Sequence, residues 1–125
     1  MEMKILIVDD SVFSQKTTAN ILNKWLDPVD IHFAKDGEIG FEKYKEIKPN
    51  YTFVDLLMPK VNGQELIKLI KGEDKDAKII VISADVQKNV REEVESYGVL
   101  SFINKPFNEE KAKNICDLIR SYKNE

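Results

Sequence analysis

Cysteine and tryptophan occur once each in this 125-residue chain, histidine once, proline four times and glycine five times. A single cysteine, Cys116, excludes an intrachain disulfide and fits a reducing compartment. No apolar stretch is long enough to span a bilayer, and no leader pattern opens the chain, so a cytoplasmic protein without a membrane anchor is expected. Basic residues do not dominate. Nineteen Lys and Arg stand against 22 Asp and Glu, a net charge of −3, and the basic footprint of a nucleic-acid binder is missing. No repeat or low-complexity segment divides the sequence, which predicts one domain over residues 1–125. That length buries a core without disulfide or metal staples.

What is present is alternation. Apolar runs near 3–8, 29–34, 51–55, 78–82 and 100–103 read as strands. Helical patterns lie near 12–26, 37–47, 63–71, 86–97 and 108–122. Val86, Val90, Val94 and Tyr97 recur at helical spacing, as do Ala112, Ile115, Cys116, Ile119 and Tyr122. Such alternation predicts an α/β fold, a parallel sheet covered on both faces. The first, third and fourth runs are apolar at consecutive positions, as strands in the middle of such a sheet are. The second alternates Val29, Ile31 and Phe33 with Asp30, His32 and Ala34, and the fifth alternates less cleanly; these read as edges. The doubly wound, flavodoxin-like order 2-1-3-4-5 satisfies both. Phe13 and Trp25 read as packing residues of the first helix, Cys116 as core, and His32 as an exposed edge side chain.

Four runs end in chemically capable residues: Asp9 and Asp10, Asp55, Ser83, and Lys105. Each has a structural reading. Asp10 with Ser11 is a helix cap, Asp55 a turn former, Ser83 a backbone partner and Lys105 a solvated charge. Together they fall at neighbouring strand ends, where sheets of this order bind ligands. Crowded carboxylates repel and call for a hard cation, Mg2+ fitting best. Asp10 and Asp55 read as direct ligands, Asp9 as acting through water, and a backbone carbonyl near Leu57 as completing the protein's share. A carboxylate can also attack phosphorus to form an aspartyl-phosphate, with Lys105, Ser83 and the metal facing the phosphoryl oxygens.

The segments Ile7-Val8-Asp9-Asp10-Ser11, Ala34-Lys35-Asp36-Gly37, Asp55-Leu56-Leu57-Met58-Pro59 with Gly63, Ile82-Ser83-Ala84, and Gly98 through Phe102-Ile103-Asn104-Lys105-Pro106-Phe107 stand in order along the chain. In these the chain resembles the CheY-like response-regulator receiver domains of two-component signalling, over nearly its whole length. CheY is a standard illustration of the 2-1-3-4-5 order, so order and resemblance are not independent. The resemblance implies that Asp55 accepts a phosphoryl group from a sensor histidine kinase or phosphotransfer protein, while Asp9 and Asp10 hold Mg2+. Ser83 would bond the phosphoryl group, Lys105 would pair with it, and Phe102 would turn inward as an aromatic switch. The fourth helix, fifth strand and fifth helix would bind a downstream target, in chemotaxis or a phosphorelay. The Lys105–Pro106 bond would be cis. Serine stands where threonine is commoner, and Phe102 lacks a tyrosine hydroxyl, so any switch acts by packing. Leu57 would hinder attacking water, whereas Asp85 could orient it; the sequence leaves both open.

A stand-alone, monomeric receiver is therefore expected, with only self-directed phosphotransfer and hydrolysis. The alternative is an aspartate-nucleophile phosphatase of haloacid-dehalogenase type. That family places its second carboxylate two residues after the first, on the first strand, whereas Asp9 and Asp10 are adjacent here. A flavodoxin-like phosphate binder would need a Gly- or Ser-rich loop where the two acids stand. A docking-only receiver would have lost some of the five key positions, all of which are intact.

Overall fold

The computed structural model describes residues 2–85 and 87–123. Among them, strands β1 (Met3–Val8), β2 (Val29–Ala34), β3 (Tyr51–Val54), β4 (Ile79–Ser83) and β5 (Ser101–Asn104) alternate with helices α1 (Val12–Leu26), α2 (Gly37–Ile47), α3 (Gly63–Glu73), α4 (Lys88–Ser96) and α5 (Glu109–Lys123). Every pairing is parallel and the order is β2-β1-β3-β4-β5. The expected doubly wound, flavodoxin-like α/β sheet is the one found, with β2 and β5 at its edges.

Side-chain alternation along the strands divides the core in two. Ile5, Ile7, Phe53, Ile80 and Ile82 face α1 and α5, where Leu22, Ile115, Cys116 and Ile119 meet them. Leu6, Val8, Val54, Ile79 and Val81 face the other way, against Tyr44, Leu66, Ile67, Ile70 and Val94. Short polar side chains start four of the helices by taking an orphan amide. Ser11 accepts from Ser14, Asp36 from Ile39, Asn62 from Glu65 and Asn108 from Lys111, at 2.8–3.2 Å. α4 has no side-chain cap, and Val94 is its one buried residue among those described.

Several details depart from the expectations. β4 and β5 each run one residue later than expected, because Ser83 and Asn104 pair. α4 starts at Lys88, later than expected, and ahead of it Asp85 Oδ1 accepts from Gln87 N at 3.0 Å. Val86, expected on the apolar stripe of that helix, lies outside the described residues. Phe13 is not a packing residue: it is 80% exposed. The buried stripe of α1 is Gln15, Thr18, Ala19, Leu22 and Leu26. Phe13 precedes Gln15 by two residues, about 200° around the helix, on the solvent side. Tyr122 is likewise exposed at the end of α5. Residues 29–33 of β2 are half-buried throughout, and His32 is not simply exposed: its Nε2 lies 3.0 Å from Asp30 Oδ2 on the same face.

Thr52, a polar interruption of the third run, sits between Leu6 and Ile79 and is 1% exposed. Its Oγ1 is buried with no hydrogen-bond partner among the described residues. Thr52→Val exchanges that hydroxyl for a methyl of the same shape. The expected result is a gain of about 1 kcal/mol, read as a higher urea midpoint at unchanged slope.

Candidate functional site

The parallel register carries the capable residues to one edge of the sheet. Val8 pairs with Val54, Val54 with Val81, and Ser83 with Asn104. Asp9, Asp55 and Lys105 each follow a strand's last residue, and one more backbone bond anchors each of them. Asp9 N donates to Ala34 O at 3.0 Å, Asp55 N to Val8 O at 3.0 Å, and Lys105 N to Ser83 O at 2.9 Å.

Carboxylate oxygens from Asp9, Asp10 and Asp55 lie within 4.8 Å of one another. Asp9 and Asp55 are buried and Asp10 is exposed. Lys105 Nζ reaches Asp55 Oδ2 at 3.1 Å and Asp9 Oδ2 at 3.3 Å, with Ser14 Oγ at 3.5 Å. The other carboxylate oxygens of Asp9 and Asp55 are held by backbone: Asp9 Oδ1 accepts from Ser11 N at 2.9 Å, and Asp55 Oδ1 from Leu57 N at 3.2 Å.

Three carboxylates facing one ammonium leave a negative surplus. Burial pushes the Asp55 carboxyl above the usual range; the Leu57 amide and Lys105 oppose this without overcoming it, and Asp9 adds to the rise. Burial alone would lower Lys105, but its bonds and charge contacts with Asp55 and Asp9 prevail and hold its pKa above the ordinary value. An all-oxygen set with excess negative charge fits a hard divalent cation, so the group could hold such a metal.

Ser83 is fully buried at the end of β4, and its Oγ accepts from Asp85 N at 3.1 Å. The Asp85 carboxylate is engaged by the Gln87 amide. Leu57 lies in the loop after Asp55 with its side chain 56% exposed. The Phe102 ring already lies inside, 8% exposed in the cluster with Val94, and Arg91 Cζ stands 5.2 Å from its centroid. The Lys105–Pro106 bond is cis, as is Asp27–Pro28. Trp25 lies at the far end of α1, with Nε1 donating to Glu109 Oε2 at 3.2 Å, so it does not report on the acids from nearby.

Other residues shape the site without having been singled out as candidates. Gln15 is buried, and its Nε2 donates to Asp9 O at 2.7 Å and Ala34 O at 3.3 Å. The signal for it was a polar residue opening the Thr18–Leu22–Leu26 stripe. Gly37 and Gly63 pin the loop that follows Asp55 from both sides. A Cβ on Gly37 would lie 2.1 Å from Val61 O, and one on Gly63 would lie 2.6 Å from Asp55 O. Among the described residues no helix is long and apolar enough to cross a membrane.

The chain is similar to known proteins in sequence and fold. Residues 5–117 match the response regulator receiver domain. The chemotaxis protein CheY of Thermotoga maritima is 40% identical over 107 residues, covering 86% of this chain and 88% of that protein. The CheY of Bacillus subtilis is 37% identical over 107 residues, with the same two coverages of 86% and 88%. Among solved structures, the CheX–CheY–BeF3–Mg2+ complex of Borrelia burgdorferi aligns with a TM-score of 0.84 at 30% identity, over 96% of this chain and 89% of that one. With the family match spanning residues 5–117 and the sheet order that of its fold, the chain belongs to the response regulator receiver domain family, as a CheY-like member with chemotaxis proteins among its relatives.

Proposed function

We propose that the chain, as one receiver over residues 1–125, is a phosphorylation-operated switch with Asp55 as its phosphoryl acceptor. An Asp55 carboxylate oxygen attacks the phosphorus of a phosphohistidine on a sensor kinase or phosphotransfer protein. The P–O bond forms as the P–N bond breaks, and the imidazole leaves with the electron pair and takes up a proton. Asp9, Asp10, Asp55 and the Leu57 carbonyl would hold Mg2+, which when bound supplies positive charge to the acids and the phosphoryl oxygens. Lys105 adds an ammonium that is already within bonding distance of Asp55. Ser83 Oγ accepts from the Asp85 amide, and its hydroxyl hydrogen would donate to a phosphoryl oxygen. The observation that carries this reading is the three-acid group with Lys105 bridging two of its members.

The output surface proposed is α4, β5 and α5. α4 is weakly tied down, and such segments are the ones that shift in switches. The β5–α5 seam carries a surface cavity of about 340 Å³ between Ser101, Ile103, Lys111 and Leu118, large enough for a partner's side chains. Because Phe102 is already inside, the proposed switch repacks it against Val94 and Arg91, with no swing from solvent. A downstream target in chemotaxis fits the relatives, and the Borrelia complex shows a CheY with a protein partner. Nothing favours the phosphatase alternative.

The test is incubation with Mg2+ and a small phosphodonor, followed by intact mass and peptide mapping. One adduct per chain at Asp55 is expected. Its appearance elsewhere, or turnover of many phosphate esters, would overturn the reading. Asp85 is engaged by Gln87, which leaves the exposed Leu57 as the residue shielding the adduct from water. Leu57→Asn should therefore shorten the adduct's lifetime, by up to about 100-fold, the lower end of what a positioned polar group contributes; an unchanged lifetime rejects the shielding role.

A further inference from the structure

Asp10 is the one member of the acid group with an exposed side chain. Its carboxylate makes no hydrogen bond or ion pair among the described residues. Asp9 is held by Ser11 and Lys105, and Asp55 by Leu57 and Lys105. Nothing comparable holds the Asp10 carboxylate, so the backbone that places its Cα and Cβ is the constraint left on it.

That backbone includes the Asp9–Asp10 peptide, whose oxygen is Asp9 O. β1 ends at Val8, so this carbonyl lies past the sheet ladder. Gln15 takes its place as partner. From the first turn of α1, in a setting 8% exposed, Nε2 donates to Asp9 O at 2.7 Å and to Ala34 O at 3.3 Å. Ala34 O also accepts from Asp9 N at 3.0 Å. One carboxamide thus ties the start of the acid loop to the end of the neighbouring strand. Gln15 is itself no ligand, so it would keep this hold whether or not a cation is bound.

We infer that Gln15 is a positioning residue for the cation site: by holding the Asp9–Asp10 peptide it points the Asp10 carboxylate toward Asp9 and Asp55. The inference rests on the reading of those three acids as a Mg2+ site. A purely structural glutamine would satisfy two buried carbonyls and affect stability alone. Partners that orient ligands from behind typically matter tenfold or more for metal affinity.

The experiment compares Gln15→Met, which has similar length and no donor, with Leu22→Val, a core change on the same helix remote from the acids. Both should lower the thermal midpoint. In Gln15→Met alone, Mg2+ affinity by titration calorimetry should fall about tenfold. In metal-free protein the Asp9 amide, which donates to the same Ala34 O, should also exchange its hydrogen faster, and not in Leu22→Val. If Gln15→Met does not fold, Gln15→Asn, which withdraws the amide by one methylene, carries the same expectation. Unchanged Mg2+ affinity and unchanged Asp9 exchange in the glutamine variant would overturn the inference, as would equal losses in Leu22→Val. Should the unaltered protein bind no Mg2+, the function proposed above fails, and the exchange comparison still decides whether Gln15 holds the peptide.

Discussion

Asp55→Asn should take up no phosphoryl adduct and, in metal-free buffer at neutral pH, should be more stable than the unaltered protein by about 1–2 kcal/mol, a range set by the cost of a poorly satisfied buried group. The loss of the adduct follows from removing the attacking oxygen. The gain in stability follows from the balance within the site. Burial and Asp9 disfavour the Asp55 carboxylate, the Leu57 amide and Lys105 favour it, and the net result is a raised pKa. The folded protein therefore holds this proton more tightly than the unfolded chain. At pH values below the ordinary carboxylate range Asp55 is protonated in both states and costs nothing. As pH rises through the raised folded value, the group must ionise where ionisation is unfavourable, and stability falls. Asparagine keeps an oxygen for the Leu57 amide and carries no charge at any pH. The variant's advantage should accordingly grow as pH rises from the ordinary carboxylate range through the raised folded value, and then level off. Mg2+ should reverse the order, because it stabilises the protein that binds it by mass action. Urea unfolding from pH 4 to 7.5, with and without Mg2+, measures this. A variant less stable at neutral pH, or an advantage that does not change with pH, would show that Lys105 fully compensates the buried acids.

Gly63→Ala should be as damaging for a different reason. Gly63 opens α3, and its amide donates to Leu56 O at 3.1 Å. A Cβ there would lie 2.5 Å from Leu56 Cα and 2.6 Å from Asp55 O, and neither atom can rotate aside. Retreat toward α2 is closed by the Gly37–Val61 approach. The Asp55 peptide must shift, with a stability loss of about 2 kcal/mol from overpacking. Adduct formation should slow by about 100-fold, the usual result of displacing a reacting group by an ångström. Gly72→Ala is the matched control. It lies in the same helix with nothing within 4 Å of its Cβ position, so a gain of about 0.5–1 kcal/mol is expected. An adduct rate in Gly63→Ala equal to that of the control would mean that the loop absorbs the extra carbon without moving Asp55.

The sheet was legible because its central strands carry nearly unbroken apolar runs, Thr52 aside, and its edge strands do not. Ile5-Leu6-Ile7-Val8 and Ile79-Ile80-Val81-Ile82 have no polar face to show water, which leaves the middle of a parallel sheet as their place. The strand-end positions were legible because a charge closing such a run must stand at the sheet's edge. Phe13 was misread because hydrophobicity alone does not give the phase of a helix; the Gln15–Thr18–Leu22–Leu26 stripe does, and two of its members are polar. His32 was misread because its partner, Asp30, lies on the same strand face, where hydropathy does not register a pair.

By itself, then, the order of residues determined the alternation of strands and helices, the α/β class and the gathering of Asp9, Asp10, Asp55, Ser83 and Lys105 along one edge, since each follows from local periodicity and the few ways a parallel sheet can be wound. Tertiary structure alone decided which oxygens Lys105 reaches, that Gln87 claims the Asp85 carboxylate, that Gln15 clamps the carbonyl of Asp9, and that Gly37 and Gly63 leave no room beside the Asp55 loop. Those contacts join residues 2 to 96 positions apart at tolerances of tenths of an ångström, and no sequence pattern encodes a distance; only packing does.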